Sequence, residues 1–134
     1  MKEQIKSNIT VGEPVFCYLG GYGEFDKISA CACRELKKEI NGIELVYVTP
    51  YMSLSEQIKI KEMQERGFYD SSIYPSLEKI PPRFAISKRN EWMIDKADII
   101  IAYVNRSFGG AYKSLQKAKK KNKKIINICE IIGK

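Results

Sequence analysis

Short apolar runs alternate along this chain with segments of helical periodicity, and this alternation constrains the fold more than any other feature. Each run is nearly continuous, as expected of a strand that is covered on both faces. Strands that alternate with helices require a parallel sheet with right-handed crossovers. The predicted strands are residues 15–19, 43–48, 72–74, 99–104 and 124–128.

Helical segments fill the intervals between these strands. Between residues 25 and 40 the apolar positions recur at spacings of three and four, and Gly42 supplies a stop. Ser53 followed by Glu56 forms a capping box, which predicts a helix that ends at Gly67. Two later helices are predicted at residues 84–96 and 110–121; their inward positions are Ile86, Asn90, Met93 and Ala97 in the first, and Ala111, Leu115 and Ala118 in the second.

We therefore expect an α/β protein with a single Rossmann-like domain over residues 1–134, after a polar lead-in at residues 1–13. Its open parallel sheet of four to five strands would carry helices on both faces. A length of 134 residues and a composition of 44% hydrophobic and 29% charged residues suit one globular domain. No apolar run approaches a membrane span, and residues 1–14 lack the apolar centre of a signal peptide. We therefore expect a cytoplasmic protein outside the membrane.

The cysteines and the absence of histidine argue against a zinc site. Cys17 falls in the first predicted strand, and Cys129 directly follows the last one. Cys31 and Cys33 are two apart on a helix and point to different faces. No histidine and no CxxC motif is present, so we expect buried, reduced thiols. No resident cofactor or metal is predicted, although magnesium would accompany a phosphate ligand.

The positive charge is concentrated near the end of the chain. The formal net charge is +7, and seven lysines lie between Lys113 and Lys124. Such a cluster forms either a basic patch for nucleic acid or an acidic ligand, or the solvated face of the last helix. The sequence leaves both readings open.

Two strand-to-helix connections carry glycine turns. Gly20-Gly21-Tyr22-Gly23 follows the first strand, and Gly109-Gly110 follows the fourth. A glycine turn that opens a helix presents bare backbone N–H groups and the positive end of the helix dipole to an anion. In an open parallel sheet both turns lie beyond the carboxyl ends of their strands, where ligands usually bind.

Charged and polar residues are expected at the same rim. A crossover helix runs antiparallel to the strand that follows it, which brings Arg83, Arg89 and Asn90 toward the carboxyl ends of the strands. An Arg89–Asn90 pair that leans inward needs a partner. A ligand phosphate or ribose would serve, because guanidinium presents a planar fork to oxyanions. The alternative is a structural acid such as Asp98 or Glu24.

Aromatic residues cluster at these turns, where they suit a nucleobase, although core packing is an equal alternative for each of them. Asp26 is predicted either to hold a ribose hydroxyl or to stabilise its helix N-terminus. The predicted ligand-binding set is Gly20, Gly21, Tyr22, Gly23, Phe25, Asp26, Thr49, Pro50, Tyr51, Arg83, Arg89, Asn90, Phe108, Gly109, Gly110 and Ala111.

Four segments of the chain resemble the YpsA-like proteins of the SLOG superfamily, a Rossmann-like group. They are GGYGEFD (20–26), VYVTPY (46–51), PPRFAISKRNEWMIDKADIIIAYV (81–104) and FGGAYKSLQKAKKKNKKIINI (108–128). The superfamily includes the LOG phosphoribohydrolases and the DNA-processing protein DprA. The resemblance implies a nucleotide-type ligand at the glycine turns and a role as a ligand sensor, as in bacterial and phage conflict systems. It also implies pairing into homodimers.

The chain departs from the LOG enzymes at one motif. LOG enzymes carry an arginine in R-K-x-x-M, matched here by Arg89, and a glutamate that closes P-G-G-x-G-T-x-x-E. Gln116 stands at the position of that glutamate, with Tyr112 and Lys113 at the later glycine and threonine positions. N-glycosidic cleavage builds positive charge that a carboxylate stabilises and an amide does not.

Three functions therefore remain open from the sequence. The first is a module that binds and senses or sequesters an adenine nucleotide, ADP-ribose or a cyclic relative. The second is an N-glycosidic hydrolase in which Glu24 or Asp26 supplies the acid and Arg89 assists. The third is a DprA-like binder of single-stranded nucleic acid that uses the lysines at residues 113–124.

Overall fold

The computed structural model describes residues 1–10, 12–21 and 23–128, and each strand pairing within them is parallel. This confirms the α/β class and the alternation of strands and helices. In chain order the elements are α1 (Lys2–Lys6), β1 (Val15–Leu19), α2 (Gly23–Glu39), β2 (Ile43–Val48), α3 (Leu54–Glu65), β3 (Ser71–Ile73), a 3-10 turn (Pro82–Phe84), α4 (Ala85–Lys96), β4 (Ile99–Ala102), α5 (Gly110–Lys120) and β5 (Lys124–Asn127).

The described strands form two small sheets where the sequence predicts one of four to five strands. The first sheet has the order β1-β2-β3, and the second pairs β4 with β5. The chain divides correspondingly into two compact units, residues 1–77 and residues 78–134. Apolar runs specify buried parallel strands, but they do not specify which strand edges pair.

The first unit is built on α2, which packs against β1 and β2. Its core includes Leu36, which is fully buried, and Leu45, which is 1% exposed. The residues predicted to be a polar lead-in contain the helix α1, which the sequence analysis missed. Ile5 and Ile9 of this segment pack against the core, and an ion pair joins Lys2 to α2.

Helix α3 begins and ends as the capping signals predict. The Ser53 hydroxyl accepts a hydrogen bond from the backbone N–H of Glu56 at 3.3 Å. At the other end Gly67 adopts φ +77°, and Phe68 N–H donates to Met63 C=O at 2.9 Å. This is the left-handed glycine termination that satisfies the last carbonyls of a helix.

Strand β3 is held in register by Asp70, the residue before it. Its carboxylate accepts a hydrogen bond from Leu45 N–H at 2.8 Å, and its own N–H donates to Leu45 C=O at 2.9 Å. Lys37 of α2 forms an ion pair with the same carboxylate. One aspartate therefore ties strand β2, helix α2 and the start of β3 together.

In the second unit, β4 ends at Ala102, two residues before the predicted end at residue 104. The side chain of Asn127 accepts a hydrogen bond from Val104 N–H at 3.0 Å and donates to Val104 C=O at 2.9 Å. A buried amide side chain thus occupies the backbone groups that a longer ladder would have used. The predicted fifth strand ends correspondingly at Asn127.

The buried faces of α4 and α5 differ from the predicted stripes. In α4 the buried residues are Ala85, Arg89 and Ile94, whereas Ile86 is 41% exposed. The buried positions of α4 therefore do not coincide with the predicted stripe. In α5 Leu115 and Ala118 are buried as predicted, but Ala111 in the first turn is exposed.

The thiols that the structure describes are free, and their burial differs. Cys33 is buried and Cys17 is half-buried, but Cys31 is exposed, contrary to the expectation of buried thiols. A hydrogen bond that Cys33 donates to Cys17, together with burial, raises the pKa of Cys33, which therefore stays protonated. Cys129, which was also expected to be buried, lies outside the described residues. Among those residues, no helix combines the length and apolar character needed to cross a membrane.

Candidate functional site

The first glycine turn connects β1 to α2 and lies directly on the side chain of Tyr47. Gly20 is buried, and Gly21 adopts φ +86°. A Cβ atom at Gly21 would lie 2.2 Å from Tyr47 Cε2 and 2.9 Å from Tyr47 Oη, so only glycine fits there. Gly23 is the first residue of α2. Tyr22, also predicted at this site, lies outside the described residues.

The three residues that follow β2 are largely buried. Thr49 is 1% exposed, Pro50 is buried and Tyr51 is half-buried. The Thr49 hydroxyl donates to Glu56 Oε1 at 3.0 Å and accepts from Tyr51 N–H at 3.2 Å. Thr49 N–H donates to Ile73 C=O at 2.9 Å, which fixes this segment to β3.

A buried carboxylate, Glu56, joins this site, and the sequence analysis missed it. Glu56 Oε1 accepts hydrogen bonds from the hydroxyls of Thr49 and Tyr47, the latter at 3.3 Å. Lys59 Nζ donates to Tyr47 Oη at 3.3 Å and lies 3.8 Å from Glu56 Oε2. The sequence indicated only a helix cap at Glu56. Its location in the first turn of the helix that follows β2 was the signal that could have found it.

The acids predicted at the first turn lie in a more exposed setting. Glu24 has 86% of its side chain exposed and forms an ion pair with Lys27 at 3.7 Å. Phe25 and Asp26 are half-buried. The geometry of Glu24 is that of a surface residue in the first turn of a helix, where a carboxylate stabilises the helix dipole.

The second glycine turn precedes α5 and is open. Gly109 adopts φ +93° and ψ 177°, a conformation that is essentially restricted to glycine. Apart from the adjoining residues and the backbone of the same helix, no described atom lies within 4 Å of where a Cβ would stand at Gly109 or Gly110. Phe108 is 70% exposed and lies under the guanidinium of Arg106, with 5.7 Å between Cζ and the ring centroid. The backbone of this turn is therefore accessible to a molecule from outside.

Two predicted arginines occupy different environments in α4 and the turn before it. Arg89 is 3% exposed, and its Nε donates to Asn90 Oδ1 at 3.0 Å. Arg83 is exposed and stacks on Phe84, with 4.8 Å between its Cζ and the ring centroid. The predicted inward position of Arg89 is thus observed, and part of its hydrogen bonding is to its neighbour Asn90.

The predicted site residues thus fall into two groups, one in each compact unit. In residues 1–77, Tyr47 and Glu56 link the Gly20–Gly21 turn to Thr49. In residues 78–134, Gly109, Gly110 and Ala111 form the start of α5, and Arg89 bonds to Asn90. In the part of the chain that the structure describes, no three cysteine or acidic residues group as they would around a metal ion.

The lysines of the basic segment are partly neutralised by α4. Lys117 forms an ion pair with Glu91, and Lys121 forms one with Asp95. Lys123 Nζ donates to the backbone carbonyls of Asp95 and Ala97 at 3.1 Å and 2.9 Å. The Lys117 bond is the main cause that lowers the pKa of Glu91. Part of the positive charge therefore holds α5 and the following turn against α4.

Comparison of the chain with models of known protein families gives no match. Comparison with curated protein sequences also gives no significant match.

Proposed function

We propose that this protein binds a nucleotide or a nucleotide-derived molecule, such as an adenine nucleotide or ADP-ribose, and acts as a sensor or a sequestering module. The observation that carries this proposal is the repeated strand, glycine turn and helix. Gly21 and Gly109 both adopt positive φ, and each precedes a helix that follows a parallel strand. Such turns expose N–H groups to phosphate.

The second glycine turn has the chemistry that suits such a ligand. The Gly109–Gly110 turn leaves open space at a helix N-terminus, which suits the close approach of a phosphate. The exposed ring of Phe108 beside it offers a face for a base. We propose further that the strands belong to a single Rossmann-like sheet of four to five strands, the arrangement in which ligands bind at the carboxyl ends.

A binding role is favoured over the LOG-type hydrolase. Glu24, a predicted acid, is exposed and forms an ion pair with Lys27, so it lacks the enclosed setting in which a carboxylate serves as a general acid. Gln116 stands at the position of the LOG glutamate. A binding role is also favoured over the nucleic-acid interface, because three lysines of the cluster bond to α4.

The test is calorimetric titration of the purified protein with AMP, ADP and ADP-ribose, with recovery of each ligand afterwards. We expect binding, with each nucleotide returned unchanged. Gly110→Val is the informative variant, because a Cβ at position 110 contacts no described atom beyond the neighbouring residues of its own helix, yet the side chain would stand where a phosphate approaches. We expect this variant to fold normally and to lose most of the affinity.

Lys120→Gln is the matched control. Lys120 is exposed in the last turn of the same helix, and its replacement should leave nucleotide affinity nearly unchanged. Equal losses in both variants would point to general attraction by the basic helix. Absence of binding by every nucleotide at millimolar concentration would refute the proposal, and recovery of cleaved ligand would replace it with the hydrolase.

A further inference from the structure

Two of the free thiols lie side by side in the first unit, one on a strand and one on the helix that follows it. Cys17 is in the middle of β1, and Cys33 is in the second half of α2, which packs against β1. Cys17 packs against the core cluster that includes Cys33, and the two thiols form a hydrogen bond. The two sulfur atoms are therefore already neighbours, as a disulfide between them requires.

The two thiols differ in exposure and in protonation. Cys33 is 3% exposed, whereas Cys17 is half-buried and is thus open to a small solute. Cys33 donates its S–H to the Cys17 sulfur, and this bond outweighs the effect of burial and lowers the pKa of Cys17. The same bond, together with burial, raises the pKa of Cys33. Cys17 is therefore the better nucleophile, and Cys33 is a protonated thiol beside it.

An accessible thiolate next to a second thiol is the arrangement in which a peroxide-sensitive cysteine has a resolving partner. The Cys17 thiolate would attack one oxygen of hydrogen peroxide, so that an S–O bond forms, the O–O bond breaks and hydroxide leaves and is protonated to water. The Cys33 sulfur would then attack the sulfur of the resulting sulfenic acid. The S–S bond forms, the S–O bond breaks, and the hydroxyl group leaves as water with the Cys33 proton. The two thiols together lose two electrons, which reduce the peroxide.

We propose that Cys17 and Cys33 form a redox-modification site, at which a peroxide converts the two thiols into a disulfide. Cys17 is the residue that attacks the peroxide, and Cys33 is the residue that resolves the sulfenic acid. The disulfide would link β1 to α2, the two elements that flank the Gly20–Gly21 turn. It would form whether or not the protein binds a nucleotide, and a dithiol reductant would reverse it.

The experiment treats the reduced full chain with hydrogen peroxide, blocks the remaining thiols with N-ethylmaleimide, and maps the peptides by mass spectrometry without reductant. For the wild type we expect a peptide pair linked through Cys17 and Cys33, loss of both thiols to the alkylating reagent, and recovery of both after dithiothreitol. Cys33→Ser retains a hydroxyl that donates to Cys17 but cannot form a disulfide, so dimedone should trap a sulfenic acid at Cys17. In Cys17→Ser the buried Cys33 should remain a thiol.

Cys31→Ser is the matched control, because Cys31 is exposed on the same helix and its loss should leave formation of the Cys17–Cys33 disulfide unchanged. A wild type that keeps both thiols while Cys31 is oxidised would refute the inference. A disulfide that joins any other pair of cysteines would refute it as well. Circular dichroism verifies folding of the serine variants. The wild-type map needs no variant and decides the matter if one of them does not fold.

Discussion

Substitution of Gly21 by alanine tests whether the first glycine turn is shaped by its contact with Tyr47. Two separate costs apply at this position. Its φ of +86° disfavours any residue with a Cβ, by about 1–2 kcal/mol. The new Cβ would also lie 2.2 Å from Tyr47 Cε2. Because Tyr47 is 1% exposed and bonded through its hydroxyl, its ring cannot simply move away.

The steric cost is that of overpacking a core, about 1–3 kcal/mol. Gly21→Ala should therefore reduce the free energy of unfolding by about 2–5 kcal/mol in total. Gly67→Ala is the matched control, because Gly67 adopts φ +77° with no described atom near its absent Cβ. It should lose only the conformational cost of about 1–2 kcal/mol.

Equilibrium unfolding in urea, followed by circular dichroism, measures both variants. A third comparison isolates the contact between the new Cβ and the Tyr47 ring. The Tyr47→Leu variant lacks Cε2 and Oη, so in that background Gly21→Ala should reduce the free energy of unfolding by no more than Gly67→Ala does. The measured interaction between positions 21 and 47 should thus be about 1–3 kcal/mol. Equal losses for Gly21→Ala and Gly67→Ala in the wild-type background would show that the turn does not depend on Tyr47.

Two further predictions concern polar side chains that replace backbone pairing. Burial alone would raise the pKa of Asp70, but the bonds from the Lys37 ammonium and the Leu45 N–H outweigh it and lower the pKa. The resulting stabilisation is complete above the ordinary aspartate pKa of 3.8 and is lost as the pH falls through the lower pKa of the folded state. The difference in free energy of unfolding between the wild type and Asp70→Asn should therefore become smaller in that pH range. Asn127→Ala leaves the N–H and C=O of Val104 without their side-chain partner and should lower the free energy of unfolding by about 2–3 kcal/mol, as measured by urea unfolding.

Control variants accompany these two predictions. Glu44→Gln replaces an exposed acid of β2 that forms no ion pair among the described contacts, and it serves as the control for loss of a carboxylate. Asn105→Ala replaces an exposed amide next to Val104 and should change the stability by less than about 0.5 kcal/mol. A parallel pH profile for wild type and Asp70→Asn would contradict the first prediction. A loss in Asn127→Ala no larger than in Asn105→Ala would contradict the second.

Local signals in the sequence determined most of the secondary structure. The capping box at Ser53 and the glycine stop at Gly67 predicted both ends of α3, because these residues satisfy the terminal groups of a helix locally. Continuous apolar runs identified β1 and β2 with their observed bounds. Likewise, the positive φ of Gly21 and Gly109 follows from glycines placed between a strand and a helix.

Contacts between residues far apart in sequence decided the rest. Pairing into three-stranded and two-stranded sheets depends on strand edges, which carry no residue-specific signal. The early end of β4 depends on Asn127, 23 residues beyond Val104. Glu56 became part of the candidate site only because the fold places the hydroxyls of Tyr47 and Thr49 against its carboxylate. Sequence patterns report local periodicity and capping, whereas the burial of a polar group and the partners that satisfy it are properties of the tertiary structure.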